Sequence, residues 1–271
     1  MRKEIRIIYG QGQRPYQQDS YAYGDNFFLV ADGVGGNSDG DKASRLVTER
    51  LKEYSSTLEG EFTPDLLQAR IGEIWREVDL LSPDASSRPA TTLAGVWMTA
   101  PGRYLSVHIG DSRIYHFRPD TVTEILYRSK DDTRTDTLLL QGEISPIEAL
   151  SHPIRSSIQR AILGGRRFPV SMDEGESIEA GDYLLVCSDG LIENLTDEML
   201  RFIFAPYRSP EEIVGLLGQH MSLTSDNHTG IIIHFEQDSE PSLRDELNEW
   251  QDLDPSERSL HEMPLDEGYP V

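Results

Sequence analysis

The chain carries a single cysteine, Cys187, in 271 residues. A lone thiol excludes a disulfide framework and any multi-cysteine zinc site, and it suits a reducing compartment. Basic residues are scarce as well: 25 Lys and Arg stand against 47 Asp and Glu, a formal net charge of −22. That sign makes nucleic acid a poor partner, because its affinity for proteins comes from neutralised phosphates. No apolar run approaches the ~20 residues of a membrane span, and no signal-peptide pattern opens the chain. A cytoplasmic monomer without membrane contact is therefore expected. The seven histidines lack ligand spacing such as His-Glu-x-x-His. The length suits one main globular domain, long enough to bury about three quarters of its unfolded surface.

What is present is a repeated device. An apolar strand stops on Asp-Gly twice: Phe27–Ala31 before Asp32-Gly33, and Tyr183–Ser188 before Asp189-Gly190. Each places a carboxylate at a strand end and a glycine where the backbone turns. One such end is usually only a turn. Two more acidic positions share the pattern, Asp19 before Tyr21-Ala22-Tyr23 and Asp226 before Thr229–Ile233. Carboxylates delivered from several strand ends to one place suit a hard divalent cation, and an oxygen-only set favours Mg or Mn over Zn. The Gly-rich run Asp32–Asp41 fails as an EF-hand, because Lys42 and Thr48 fall where Gly and Glu are needed. It also lacks dinucleotide-loop spacing.

The remaining pattern reads as α+β. A helix after Asp39-Gly40-Asp41 carries Ala43, Leu46, Val47, Leu51 and Tyr54 on one face. Another starts at Thr63-Pro64 with the stripe Leu66, Leu67, Ile71, Ile74, Trp75 and Val78. Residues 91–127 read as an antiparallel meander turned at Pro101-Gly102 and at Gly110-Asp111-Ser112. Residues 128–170 read as a polar, arginine-rich stretch, either a solvated loop or a substrate-facing flap, with helical stretches at Pro146–Leu150 and Ser156–Ile162. Helices resume at Thr196–Phe204 and Pro210–Met221. From Glu236 onward there are 12 acidic and 2 basic residues. The division expected is a domain over 1–236 and an acidic tail over 237–271. That tail reads either as a disordered, solubilising segment or as a short amphipathic helix starting at Ser242, with Leu243, Leu247 and Trp250 on one face.

An ordered series of motifs then resembles the metal-dependent PPM, or type 2C, serine/threonine protein phosphatases, bacterial members above all. The series is Arg14–Asp19, Ala31–Gly36, Ala90–Leu93, His108–Arg113, His152-Pro153, Arg160–Ile162, Ser188–Leu191 and Asp226–Thr229. The resemblance implies an α-β-β-α sandwich: two antiparallel sheets flanked by helices. It implies two Mn2+ or Mg2+ ions held by Asp19, Asp32, the Gly33 carbonyl, Asp189 and Asp226. A third, weaker ion would use Asp111 and Asp189, with Asp131 from the flap. Arg14 falls where the family grips the substrate phosphate, so Arg14, Asp32 and Asp189 are the expected catalytic residues. Gln18, Asn37, Lys130-Asp131-Asp132, Glu193 and Gly230 depart from the common pattern. Val34 stands where animal members place a histidine acid, leaving a metal-bound water to protonate the leaving group.

The implied function is hydrolysis of phosphoserine and phosphothreonine in proteins, with a cognate kinase as the expected counterpart. Two close cations can share a bridging hydroxide and aim it in line at phosphorus. Arginine holds the charge-bearing oxygens through its planar fork. Three rivals are a histidine-dependent phosphodiesterase, a catalytically impaired phosphoprotein-binding module and a scaffold built around its acidic tail. Cys187 sits inside an apolar strand and lacks the phosphate-cradling loop of a cysteine phosphatase.

Overall fold

A computed structural model describes residues 1–34, 39–58, 60–81, 88–150, 152–154, 157–175, 177–193, 195–221 and 224–237. The segment 35–38, with Gly35, Gly36 and Asn37, and the tail helix expected after Ser242 lie outside the described residues. Two antiparallel sheets form the centre. One has five strands in the order β1 (Arg2–Gly10), β12 (His228–Glu236), β11 (Tyr183–Cys187), β7 (Arg113–Pro119) and β8 (Thr123–Arg128). The other runs β10 (Ser171–Glu174), β6 (Arg103–Ile109), β5 (Leu93–Ala100), β3 (Phe27–Val34), β4 (Ala90–Thr91) and β9 (Ile162–Leu163). β2 (Asp19–Tyr23) adds to it by pairing with β3.

Phe28, Val30, Val96, Ile114, Leu184, Val186, Ile231 and Ile233 fill the space between the sheets. These strands are covered on both faces, so they read as continuous apolar runs rather than alternations. Each fully buried large apolar side chain contributes about 1.5–3 kcal/mol. Helices α1 (Gly40–Thr57) and α2 (Pro64–Leu80) cover the seven-stranded sheet through Ala43, Val47, Leu51, Leu67, Ile71, Ile74 and Trp75. α2 starts as its sequence dictates: Thr63 accepts a hydrogen bond from the Leu66 amide, and Pro64 opens the first turn. Helices α5 (Asp197–Ile203) and α6 (Pro210–Met221) cover the other sheet through Leu200, Ile203, Ile213 and Leu217. The result is the four-layer α-β-β-α sandwich.

Two expectations need correction. The meander is broken between β6 and β7, which belong to different sheets. Gly110 adopts φ 109, and the chain crosses from one sheet to the other at Gly110-Asp111-Ser112 instead of folding back as a hairpin. The stretch expected as a helix at Ser156–Ile162 is extended where it is described. Ile158 bridges to Thr133, Ile162 and Leu163 form β9, and the Gln159 amide donates to the Asp132 carbonyl at 2.7 Å. Backbone pairing to residues 132–134 overrides local helix preference there. The flap instead gains a helix that no strong pattern announced, α3 (Arg134–Leu140), capped by the Thr133 hydroxyl. The short α4 (Pro146–Leu150) forms where expected.

Candidate active site

β2 and β3 pair so that Asp19 lies directly opposite Asp32. Like charges opposed across a ladder repel, so something must offset them. Asp189 begins a short 3-10 turn (Asp189–Ile192) at the end of β11, and Asp226 precedes β12 at the same end of the sandwich. The Gly110 crossover sets Asp111 beside them, close enough for Asp189 to raise the proton affinity of Asp111. Gly33 has no room for a side chain. A Cβ there would sit 2.5 Å from the Gly40 backbone and 2.8 Å from the Gln18 carbonyl oxygen. That close approach packs the start of α1 against the Asp32 strand end.

Several hydrogen bonds fix these carboxylates. Asp19 Oδ2 accepts from the hydroxyls of Ser188, at 2.8 Å, and Thr229, at 2.6 Å. The Asp32 amide donates to Thr92 Oγ1 at 2.9 Å, and Thr92 Oγ1 lies 2.6 Å from Ser112 Oγ. Asn227 accepts from the Gln18 amide and donates to the carbonyls of Gln11 and Tyr16, locking the Arg14 loop onto the start of β12. Ser188, Thr229, Thr92 and Asn227 were not singled out as supports in the sequence, although each adjoins a motif that was.

In contrast, Asp19 Oδ1, Asp111 Oδ1 and Asp189 Oδ1 are buried and accept no hydrogen bond from any described residue. Burial pushes the Asp19 carboxyl up to about 7, against the two hydroxyls that favour its ionised form and with help from Asp189 and Asp226. Burial, then Asp226, pushes Asp189 up to about 6. Asp32 is raised by burial, then by Asp19 and Asp189; Asp111 is raised by burial, then by Asp189 and Asp131. Buried carboxylates that repel one another and keep oxygens unpaired are a poor ion-pair network and a good set of donors for cations. The residues present therefore fit hard divalent metal ions.

A cleft of about 690 Å³ opens beside this cluster, with Arg14, Asp111, Asp131, Asp189, Glu193 and Asp226 among its lining residues. Arg14 Nη2 donates to Asp226 Oδ2 at 2.6 Å, and its side chain is half exposed. Asp131 reaches the cleft wall, but both its oxygens accept from Arg113: Nε at 2.7 Å and Nη2 at 2.6 Å. Glu193, where the pattern has aspartate, accepts from the Ser225 amide at 3.0 Å and so braces the Asp226 loop. Cys187 is fully buried, and burial lifts its thiol to about 12, so it cannot serve as a nucleophile.

The sequence profile described as protein phosphatase 2C matches residues 15–216. The chain belongs to the protein phosphatase 2C family. It is 38% identical over 192 residues to the serine/threonine protein phosphatase PstP of Mycobacterium tuberculosis, covering 69% of this chain and 36% of that protein. The chain thus spans about a third of that relative's length. A putative protein phosphatase 2C-type protein of Streptococcus pyogenes is 32% identical over 241 residues, 84% of this chain and 88% of the relative. Among solved structures, the PstP catalytic domain in complex with two manganese ions superposes with TM-score 0.74 at 28% identity. It covers 87% of this chain and 99% of that one. Within this phosphatase 2C chain the structure brings Asp19, Asp32, Asp189, Asp226, Asp111 and Arg14 to one end, with Asp131 across the cleft and committed to Arg113.

Proposed function

We propose that the protein is a Mn2+- or Mg2+-dependent phosphatase acting on phosphoserine and phosphothreonine in other proteins. The observation that carries the reading is the set of buried, unpaired carboxylate oxygens of Asp19, Asp111 and Asp189 beside an arginine-lined cleft. Asp19, Asp32, the Gly33 carbonyl, Asp189 and Asp226 would hold two ions. Asp111 would hold a third and weaker one, with Asp131 joining only if it leaves Arg113. When bound, such ions supply a water activated near neutral pH and neutralise charge on phosphorus-bound oxygens.

The chain's own residues supply the rest. Arg14 offers a planar donor fork to two phosphate oxygens, and an incoming phosphate dianion competes with Asp226 for it. Ser188 and Thr229 orient Asp19 and favour its ionised form. Thr92 ties the Asp32 backbone to the Asp111 crossover through the Ser112 hydroxyl. The closing of α1 on Gly33 fixes the backbone of the strand end itself. A cognate Ser/Thr kinase and a cytoplasmic signalling role are parts of this reading, as is an acidic tail over 237–271 outside the catalytic domain. Among the described residues no helix is long and apolar enough to cross a membrane.

The test is hydrolysis of p-nitrophenyl phosphate and a phosphothreonine peptide by the chelator-stripped protein before and after adding Mn2+ or Mg2+. Turnover should appear only with the ion. Full turnover in excess chelator would overturn the reading.

A further inference from the structure

A second cluster of metal-ligating side chains lies at the opposite end of the sheet from the cleft. Glu4 on β1 and His234 on β12 are directly paired across the strands. Glu236 lies two residues beyond His234, so all three side chains share one face of the sheet. One ligand atom from each lies within 4.8 Å of the other two. Asp226, on the cleft, is eight residues of nearly extended chain from His234, about 25 Å away.

The details are those of a prepared site rather than of three neighbouring surface groups. His234 Nδ1 is buried and has no hydrogen-bond partner among the described residues. It faces Glu4 Oε2 at 4.0 Å and Glu236 Oε1 at 3.9 Å, too far for a hydrogen bond. The other oxygen of each glutamate is taken: Arg6 pairs with Glu4 Oε1, and Arg2 Nε lies 3.4 Å from Glu236 Oε2. The two arginines thereby leave one oxygen of each carboxylate on the imidazole side. The His234 ring stacks on Tyr183 of β11 at 4.3 Å and 14°, which fixes its plane. Glu211 of α6 also pairs with Arg6 and closes the charge pattern above the strands.

We propose that Glu4, His234 and Glu236 bind a first-row divalent cation of borderline softness, Zn2+ above all, at a site separate from the cleft. One imidazole nitrogen and two carboxylate oxygens, drawn together from these separations by about half an ångström, can surround an ion about 2.0–2.2 Å from each. The mixed donor set favours Zn2+, whereas the oxygen-only set of the cleft favours Mg2+ or Mn2+. The two ends of one sheet thus select different metals. A bound ion ties edge strand β1 to β12 and stabilises the folded state by mass action.

The test uses the full-length, chelator-stripped protein with excess Mg2+ to fill the cleft, then one equivalent of Zn2+. Calorimetry should show one Zn2+ bound per chain, thermal melting should shift upward, and X-ray absorption at the zinc edge should show an imidazole in the ligand shell. The cleft carboxylates cannot supply that signature. His234→Ala should remove it. Glu4→Gln and Glu236→Gln, which keep shape and folding, should each weaken Zn2+ binding by at least ~10-fold, since even outer-shell losses cost that much. Three results would each overturn the proposal: no Zn2+ retained, an oxygen-only zinc shell, or unchanged binding in the two glutamine variants. None of these readouts depends on phosphatase turnover.

Discussion

β11 carries a buried carboxylate at each end, and the two live in opposite circumstances. Asp182, just before the strand, is satisfied by the protein itself. Its oxygens accept from Arg118 Nε at 2.9 Å and Nη2 at 2.7 Å, from His116 Nε2 at 3.0 Å and from the Glu179 amide at 2.7 Å. Burial pushes its carboxyl up, but these donors outweigh burial and leave it below the usual range. Because Asp182 accepts from Nε2, His116 Nδ1 is free to accept from the Tyr104 hydroxyl at 3.3 Å. Asp189, just after the same strand, keeps Oδ1 unpaired and is pushed up to about 6. One end is complete as folded; the other is complete only with cations. The residue type is the same at both, so what separates structure from function is who satisfies the charge.

The largest effect that sharpens this contrast falls on the complete end. Asp182→Ala should cost about 3 kcal/mol of stability, because it leaves His116 Nε2 unsatisfied in the core and takes one carboxylate from Arg118, which keeps Glu179 and the Ser177 carbonyl. Urea unfolding measures it, and turnover of the still-folded fraction should stay within about twofold, as Asp182 touches nothing in the cleft. A loss below about 1 kcal/mol would make the network incidental.

At the other end the effect moves from stability to rate. Asp32→Ala or Asp189→Ala should cut metal-dependent turnover by at least ~100-fold, as each removes a donor from an activating ion. The same variants should melt no lower than the parent in chelator, since they relieve repulsion. Arg14→Ala should lose about 2 kcal/mol in kcat/KM on phosphopeptides while calorimetric Mn2+ affinity holds. Loss of metal binding in that variant would make Arg14 a brace for Asp226 instead.

The smallest effect is in pH. The Asp19 and Asp189 carboxyls sit above their unfolded values, at about 7 and about 6. The metal-free folded state therefore holds protons that the unfolded chain has released. That contribution is full below about pH 4 and is lost as pH rises through 6 and 7. Asp182, being lowered, works the other way: its contribution is present above about pH 4 and fades in acid. In chelator, melting temperature should fall between pH 5 and 8. With Mn2+ that decline should vanish, because cations favour the ionised forms. A flat profile in chelator would contradict the assignment of repelling carboxylates.

Much of this was legible in the sequence because strand ends punctuate it. Asp32-Gly33 and Asp189-Gly190 follow unbroken apolar runs, and Thr63-Pro64 announces α2. Less legible was anything fixed by long-range pairing. Gly110-Asp111-Ser112 has hairpin composition, yet the chain crosses between sheets there, since the sides of Ile109 and Ile114 belong to different cores. The flap around Arg160 looked helical, but Asp132 draws it extended by pairing with the Arg160 side chain and through the Gln159 amide. The hydroxyls of Ser188 and Thr229 adjoin the motifs, but only the fold shows that both grip Asp19. Arg113 as the partner of Asp131 was equally invisible, because eighteen residues and the whole β7-β8 hairpin separate them.

The most direct test of the contrast between the two ends of β11 is anomalous scattering at the manganese edge from crystals of the protein grown with Mn2+. The account predicts two strong peaks among Asp19, Asp32, the Gly33 carbonyl, Asp189 and Asp226, and none at Asp182. A cleft end without manganese, its carboxylates paired by protons or by Arg14 alone, would contradict it.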